Sequence, residues 1–269
     1  LHAVASRDDL AQAEASLLHS LRKKEDGALA RYDRAVSLAI SRRLLHHPIA
    51  PNHATVVAGL IGLTSGVIAS RGGYAWLLAG ALCYLASNIV DGIDGELARA
   101  KLLESRLGQW LDTLFDDATN VSFWVGTAIG SYRTWHSNAS LALGATIGLG
   151  YLIVAAVMYH YLVTVARSGD QNAMRWPWQR GEPDAASDWL GRVSFLLRRD
   201  TVAWVSVGAA AFAVSWLTLW VAAAFVTGLW VIWAVYTALG SRPISPSESS
   251  GSPMGCQAGA TTHKRRSRT

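Results

Sequence analysis

Apolar stretches long enough to cross a lipid bilayer occupy residues 54–70, 74–92, 107–132, 139–166, 200–218 and 221–240. A hydrocarbon core of roughly 30 Å takes about 20 residues of helix to span, and backbone inside it must satisfy its own hydrogen bonds. Six such runs predict an all-α polytopic integral membrane protein with six transmembrane helices. The first two and last two runs are so close together that tight hairpins are expected near Gly72 and Trp220. Composition agrees, since 16% of the 269 residues are charged and 51% are hydrophobic, against about 25% charged in soluble domains. That hydrophobicity excludes a disordered chain. Two cysteines, Cys83 and Cys256, make neither a disulfide framework nor a CxxC metal signature.

The flanks divide the chain into three expected parts: a polar to amphipathic segment over 1–50, the membrane domain over 51–240, and a Ser-, Gly- and Arg-rich tail over 241–269 that reads as disordered. No signal-peptide core lies in the first fifty residues, and a chain that opens at Leu1 is compatible with a piece of a longer protein. Leu17, Leu18, Leu21 and Leu29 alternate with basic residues, the pattern of a cytoplasmic amphipathic helix at the membrane surface. Connections on one side of the six runs carry 22 of the 24 Lys and Arg residues; Arg71 and Arg133 alone fall on the other. The positive-inside rule then puts both termini and the 93–106 and 167–199 loops in the cytoplasm, as for a protein of the cell inner membrane. The formal charge of +5 is thus mainly a topology signal with anionic membrane lipids as partners, and no nucleic-acid partner is expected. Trp76, Trp135, Trp204 and Trp220 fall near span ends as interfacial anchors. Gly62 with Gly66 and Gly144 with Gly148 have the spacing that lets helices approach closely.

Against this scarcity of charge, aspartates stand where spans end. Asp91 and Asp94 close the second run, and Asp112, Asp116 and Asp117 open the third. At about 100° per residue, Asp91 and Asp94 lie about 60° apart around a helix and Asp112 and Asp116 about 40°, so each pair shares a face. Four carboxylates facing one another need protons or cations, and an all-oxygen set suits hard divalent ions such as Mg²⁺, Mn²⁺ or Ca²⁺. Two metals can hold both the attacking and the leaving oxygen of a phosphoryl substrate. Helix-end dipoles explain one or two such acids, but not the Gly95, Arg99 and Gly108 interleaved with them. Glycine admits a bulky group to the backbone and arginine offers a fork for phosphate.

The run Asp91-x2-Asp94-Gly95-x2-Ala98-Arg99-x8-Gly108-x3-Asp112-x3-Asp116 resembles the full signature of the CDP-alcohol phosphotransferase family at all eight fixed positions, a match expected by chance on the order of 10⁻¹⁰ per starting position. The resemblance extends over about 45–240 and includes the Pro51-Asn52-x-x-Thr55 lead into the first span. It implies a two-metal site for Mg²⁺ or Mn²⁺ on Asp91, Asp94, Asp112 and Asp116, with Asp116 as catalytic proton acceptor. Thr55, Gly95, Ala98, Arg99, Ser105 and Gly108 fall on positions that in similar enzymes contact the CDP-alcohol or clear space for it. The implied reaction moves a phosphatidyl or phosphoinositol-type group from a CDP-alcohol to an acceptor hydroxyl, releases CMP, and serves phospholipid or inositol phosphodiester synthesis at the cytoplasmic face. Family likeness also implies a homodimer.

Arg198-Arg199-Asp200 is similar to a segment of members that use inositol phosphates, which makes Arg198 and Arg199 candidates for holding an acceptor's phosphate, although cytoplasmic arginines are expected there on topology alone. A phosphorylated acceptor such as inositol phosphate or glycerol phosphate is favoured over serine or choline. Ser20–Arg31 and Val36–Arg43 resemble the junction of fusions in which an inositol-phosphate cytidylyltransferase precedes a di-inositol-phosphate phosphate synthase domain. His160 and Tyr161 can line a cavity or sit satisfied at the interface, and Cys83 reads as a small apolar filler. The rival class is a cation-coupled transporter using the intramembrane aspartates, and a third is a non-catalytic scaffold. Neither accounts for the Gly95, Arg99 and Gly108 spacing.

Overall fold

A computed structural model describes residues 28–174 and 199–238, so Leu17, Leu18, Leu21, Arg198 and the 241–269 tail lie outside the described residues. All regular structure among the described residues is helical: α1 (Ala28–Leu44), α2 (Pro51–Ala69), α3 (Tyr74–Lys101), α4 (Arg106–Trp135), α5 (Asn138–Tyr161), α6 (Arg199–Ala211) and α7 (Ser215–Ala238). A π-helical turn, Leu162–Ala166, prolongs α5, and a 3₁₀ turn spans Gln171–Ala173. Three of these helices, α2, α3 and α5 with its π-turn, are long and apolar enough to cross a membrane. Their outer faces show apolar side chains such as Leu60, Val67, Leu82, Leu149 and Leu152, as a lipid-facing surface requires.

Local chemistry sets the element ends that matter for the site. Pro51 starts α2 behind an extended Ala50, using the position where a missing N–H costs nothing. The hairpin expected near Gly72 is there, with Gly72 and Gly73 both at positive φ. The 93–106 loop is shorter than expected, because α3 runs on to Lys101 and only residues 102–105 connect it to α4. The run Glu96-Leu-Ala-Arg-Ala-Lys101 consists of good helix formers, with Arg99 and Lys101 in the last turn, where cations complement the helix dipole. Asp91, Asp94 and Arg99 therefore ride on one continuous rod. At 1.5 Å per residue this helix of 28 residues is about 42 Å long, more than the hydrocarbon thickness. The second hairpin also differs from expectation. The break falls at Phe212–Val214, where Ala213 adopts a left-handed conformation and the Val214 N–H closes onto the Ala209 carbonyl at 2.7 Å. Trp220 lies inside α7.

Two seams hold the site in place. Along α2 and α4 the backbones touch: a Cβ on Gly126 would sit 2.1 Å from the Gly66 carbonyl oxygen, and one on Gly59 would meet the Phe115 ring at 2.1 Å. Gly62–Gly66 is therefore a packing motif. Gly144 does the same work between α5 and α4, where a Cβ would meet that of Ala128 at 2.3 Å. The second seam joins α1 to α3. Ser37 and Ser41 each donate a hydrogen bond of 2.7 Å to the fully buried Glu96 carboxylate, and Lys101 Nζ reaches the carbonyls of His47 at 2.7 Å and Ile49 at 2.9 Å. The main core lies between α3, α4, α5, α6 and α7 around Tyr84, Phe123, Trp124, Ile147 and Leu219. There Tyr84 and Phe123 stack with ring centroids 4.1 Å apart.

Candidate active site

Two regions adjoin where the C-terminal half of α3 and the first turns of α4 face each other. In the first, carboxylate oxygens of Asp91, Asp112 and Asp116 lie within 4.8 Å of one another. Asp91 and Asp112 come from different helices, as the shared faces predicted. The Arg199 guanidinium at the start of α6 bonds Asp91 at 3.1 Å and also bonds Asp116. One cation thus answers three carboxylates, and the deficit together with the all-oxygen donor set fits hard divalent metal ions. Arg199, expected to hold an acceptor phosphate, is engaged with the acids themselves. Its Nε is buried without a hydrogen-bond partner among the described residues.

Asp94 stands apart from this triad. Its carboxylate accepts from the Thr55 hydroxyl and from the Gly95 backbone N–H at 2.5 Å, which turns it toward the second region. That region is a cavity of about 240 Å³ walled by α2, α3, the 102–105 connection and the first turns of α4. Thr55, Gly95, Ala98, Arg99, Ser105 and Gly108, the six positions expected to meet a CDP-alcohol, all line it, together with Asp94 and Asp112. The two glycines leave room for different reasons. A Cβ on Gly95 would meet only the Arg99 guanidinium, at 3.3 Å, whereas one on Gly108 would meet Asn52 Oδ1 at 3.0 Å. Ser105 has a second duty as the N-cap of α4, accepting the Gly108 N–H at 3.0 Å; a serine there satisfies an otherwise orphan donor.

Several residues at the site carry no signal in the sequence. Asp170 joins the cavity wall because Thr113 donates to the Gly169 carbonyl at 2.7 Å and Ser168 to Gln109 Oε1 at 3.2 Å, folding residues 168–170 onto α4. Asp117, beside Asp116 but outside the motif, accepts from the hydroxyls of Tyr151 at 2.7 Å and Tyr159 at 2.6 Å. Asn120 extends this network by donating to Tyr151 at 3.1 Å and accepting from Tyr84 at 2.5 Å. Asp117 therefore fastens α4 to α5. Among the other residues considered, His160 is exposed and Tyr161 half-buried, and neither lines the cavity.

Comparison with known proteins now bears on these features. The chain is 38% identical over 132 residues to the bifunctional IPC transferase and DIPP synthase of Thermococcus kodakarensis, 47% of this chain and 29% of that protein. It is 32% identical over 111 residues to the protein of the same name from Aquifex aeolicus, 41% of this chain and 25% of that one. The matched stretch thus spans less than a third of these relatives' length. The resemblance of the upstream segment to the junction of such fusions agrees with these names. The sequence model of the CDP-alcohol phosphatidyltransferase family matches residues 48–238, which include the whole cavity wall, the carboxylate triad and Arg199. The chain belongs to the CDP-alcohol phosphatidyltransferase family, a family of phosphotransferase enzymes.

Proposed function

We propose that the cavity receives the CDP part of a CDP-alcohol and that the carboxylates beside it bind two Mg²⁺ or Mn²⁺ ions. One observation supports this above all: six residues chosen for donor contact line a single cavity whose wall also contains Asp94 and Asp112. Its volume of about 240 Å³ falls somewhat below the usual span of small-molecule sites, roughly 300–1,000 Å³. Arg99 is placed to pair with a phosphate, and Gly95 and Gly108 let the diphosphate approach backbone. Asp91, Asp94, Asp112 and Asp116 are the proposed ligands, with Asp94 released from Thr55 as it takes up that role. Bound divalent ions supply charge compensation for the diphosphate and for departing CMP.

In the proposed reaction Asp116 takes the proton of an acceptor hydroxyl, the acceptor oxygen bonds to the β-phosphorus of the donor, and the bond from that phosphorus to CMP breaks. The protein contributes position and preorganised charge more than covalent chemistry. A phosphorylated acceptor and an inositol-type donor are the proposed substrates, in line with the printed names of the relatives. Arg199, freed from Asp91 and Asp116 when cations are present, and Arg198 would meet the acceptor's phosphate. The enzyme is proposed to cross the inner membrane six times with both termini cytoplasmic, to expose the site to the cytoplasm and to act as a homodimer. The domain limits 1–50, 51–240 and 241–269 belong to the same proposal.

The decisive assay follows CMP release from CDP-inositol or CDP-diacylglycerol by the purified chain in detergent, with a panel of acceptors. Activity is expected with Mg²⁺ or Mn²⁺, to vanish on chelation, and to return on adding the metal back. Asp116→Asn is expected to abolish CMP release while the unfolding midpoint stays near that of the parent. Substantial residual turnover would remove Asp116 from the role of base.

A further inference from the structure

A second, smaller cavity of about 70 Å³ lies between α1, α3 and α6, lined by Asp33, Arg34, Ser37, Asn88, Glu96 and Asp200 among others. It shares no residue with the donor cavity. Three of its walls carry carboxylates, and a single guanidinium, that of Arg34, faces them. Glu96 is satisfied by Ser37 and Ser41, and Asp200 accepts from the Asn88 amide at 3.0 Å. Asp33 differs. It is 6% exposed; its Oδ1 accepts from Trp204 Nε1 at 2.9 Å, while its Oδ2 is buried with no hydrogen-bond partner among the described residues. A carboxylate oxygen left in that condition is costly. Burial pushes the Asp33 carboxyl above its ordinary range; the Trp204 donor opposes this, the neighbouring Asp200 charge adds to it, and the nearby Asn88 amide opposes it further.

We infer that this cavity is a binding site for one hard cation of the alkali or alkaline-earth class, held by Asp33 Oδ2 and the Asp200 carboxylate and separate from the catalytic acids. The donor set decides the class. The lining offers carboxylate, amide and hydroxyl oxygens and no imidazole or thiol, which suits Na⁺, K⁺ or Ca²⁺ and disfavours transition metals. Anions are repelled by the three acids. The space admits one ion with at most a few waters. An ion here ties α1 to α6 at the residue next to Arg199.

The test uses the full chain carrying Asp91→Asn and Asp112→Asn together, which disables the central cluster. The protein is stripped with chelator and held in N-methyl-D-glucamine chloride at fixed ionic strength and pH. Titration with NaCl, KCl or CaCl₂ is expected to raise the unfolding midpoint saturably with at least one of the three, by about 5 °C. Adding Asp33→Asn should erase the rise and should lift the midpoint in cation-free buffer, because the charge needing a partner is gone. An equal rise in both proteins, or none with any cation, overturns the inference. So does a parent whose midpoint is raised by acidification alone, since the occupant is then a proton. Tb³⁺ provides a direct probe: emission excited through tryptophan should fall in Asp33→Asn, in Asp200→Asn and in Trp204→Phe. Undiminished emission in both acid variants places the ion elsewhere and ends the proposal.

Discussion

Asp94 and Asp116 belong to one motif, yet their surroundings differ. Thr55 and a backbone N–H grip Asp94, whereas Arg199 grips Asp116. Thr55→Val takes a hydroxyl from a buried carboxylate and should lower stability by about 1–3 kcal/mol, read as a lower unfolding midpoint. Gly95→Val puts branched carbon where the Arg99 guanidinium lies 3.3 Å from a would-be Cβ. It is expected to raise the donor KM about tenfold or more, with a smaller change in kcat, because it narrows the donor cavity without touching a carboxylate. At this scale the sequence is most readable where the motif spacing reports on helix faces: Asp91, Asp112 and Asp116 converge, but Asp94, which the same spacing puts beside Asp91, is drawn off by Thr55 and the Gly95 N–H. Asp117 and Asp170 were not readable. Asp117 gains its meaning from Tyr151 and Tyr159 on another helix, and Asp170 from a turn folded back by Thr113. No local pattern encodes either contact. Arg199 was legible as a phosphate-binding type of side chain, but its pairing with two acids depends on where α6 begins.

Among the elements, α3 departs most from a simple membrane span, and Glu96 explains how its extension is held. The Ser37→Ala, Ser41→Ala double variant strips both donors from that buried carboxylate. Hydrogen bonds to charged groups contribute roughly 1.5–3 kcal/mol each, so the variant should unfold well below the parent in detergent, while Glu96→Gln, which keeps an acceptor and gains a donor, should lose less. Denaturation monitored by helical circular dichroism makes the comparison. The extension is not legible in the sequence because hydropathy marks where a helix leaves lipid and says little about where it stops. Glu96 to Lys101 is polar and still strongly helical. The α6–α7 turn is hidden for the converse reason. Phe212-Ala213-Val214 is apolar and contains no Gly, Pro or Asn, so a break there leaves the hydropathy unbroken, whereas the Gly72-Gly73 turn announces itself.

For the molecule as a whole, the charge asymmetry makes a prediction about sidedness. In a background with Cys83→Ala and Cys256→Ser, a cysteine replacing the exposed Leu102 should react with an impermeant thiol reagent only from the cytoplasmic side, and one replacing His136 only from the other. Reversed labelling would refute the proposed orientation. The glycine seam is expected to be equally global. Gly126→Val drives carbon into the Gly66 backbone, where no side chain can step aside, and should cost more than the usual 1–3 kcal/mol of overpacking, seen as aggregation or a sharply lowered midpoint. That seam also settles what can move. With α2 backbone packed directly on α4 at Gly66 and Gly126, and Phe115 and Thr119 seated over Gly59 and Gly62, the two helices are keyed together. Their connection through α3 makes nearly every wall of the donor cavity part of one casting. Among the described lining residues Asp170 alone belongs to a separate piece, whose contacts with α4 include the Thr113 and Gln109 hydrogen bonds. For the nucleotide proposed to bind there, the turn at residues 168–170 is the described part of the wall that does not belong to the α2–α4 block.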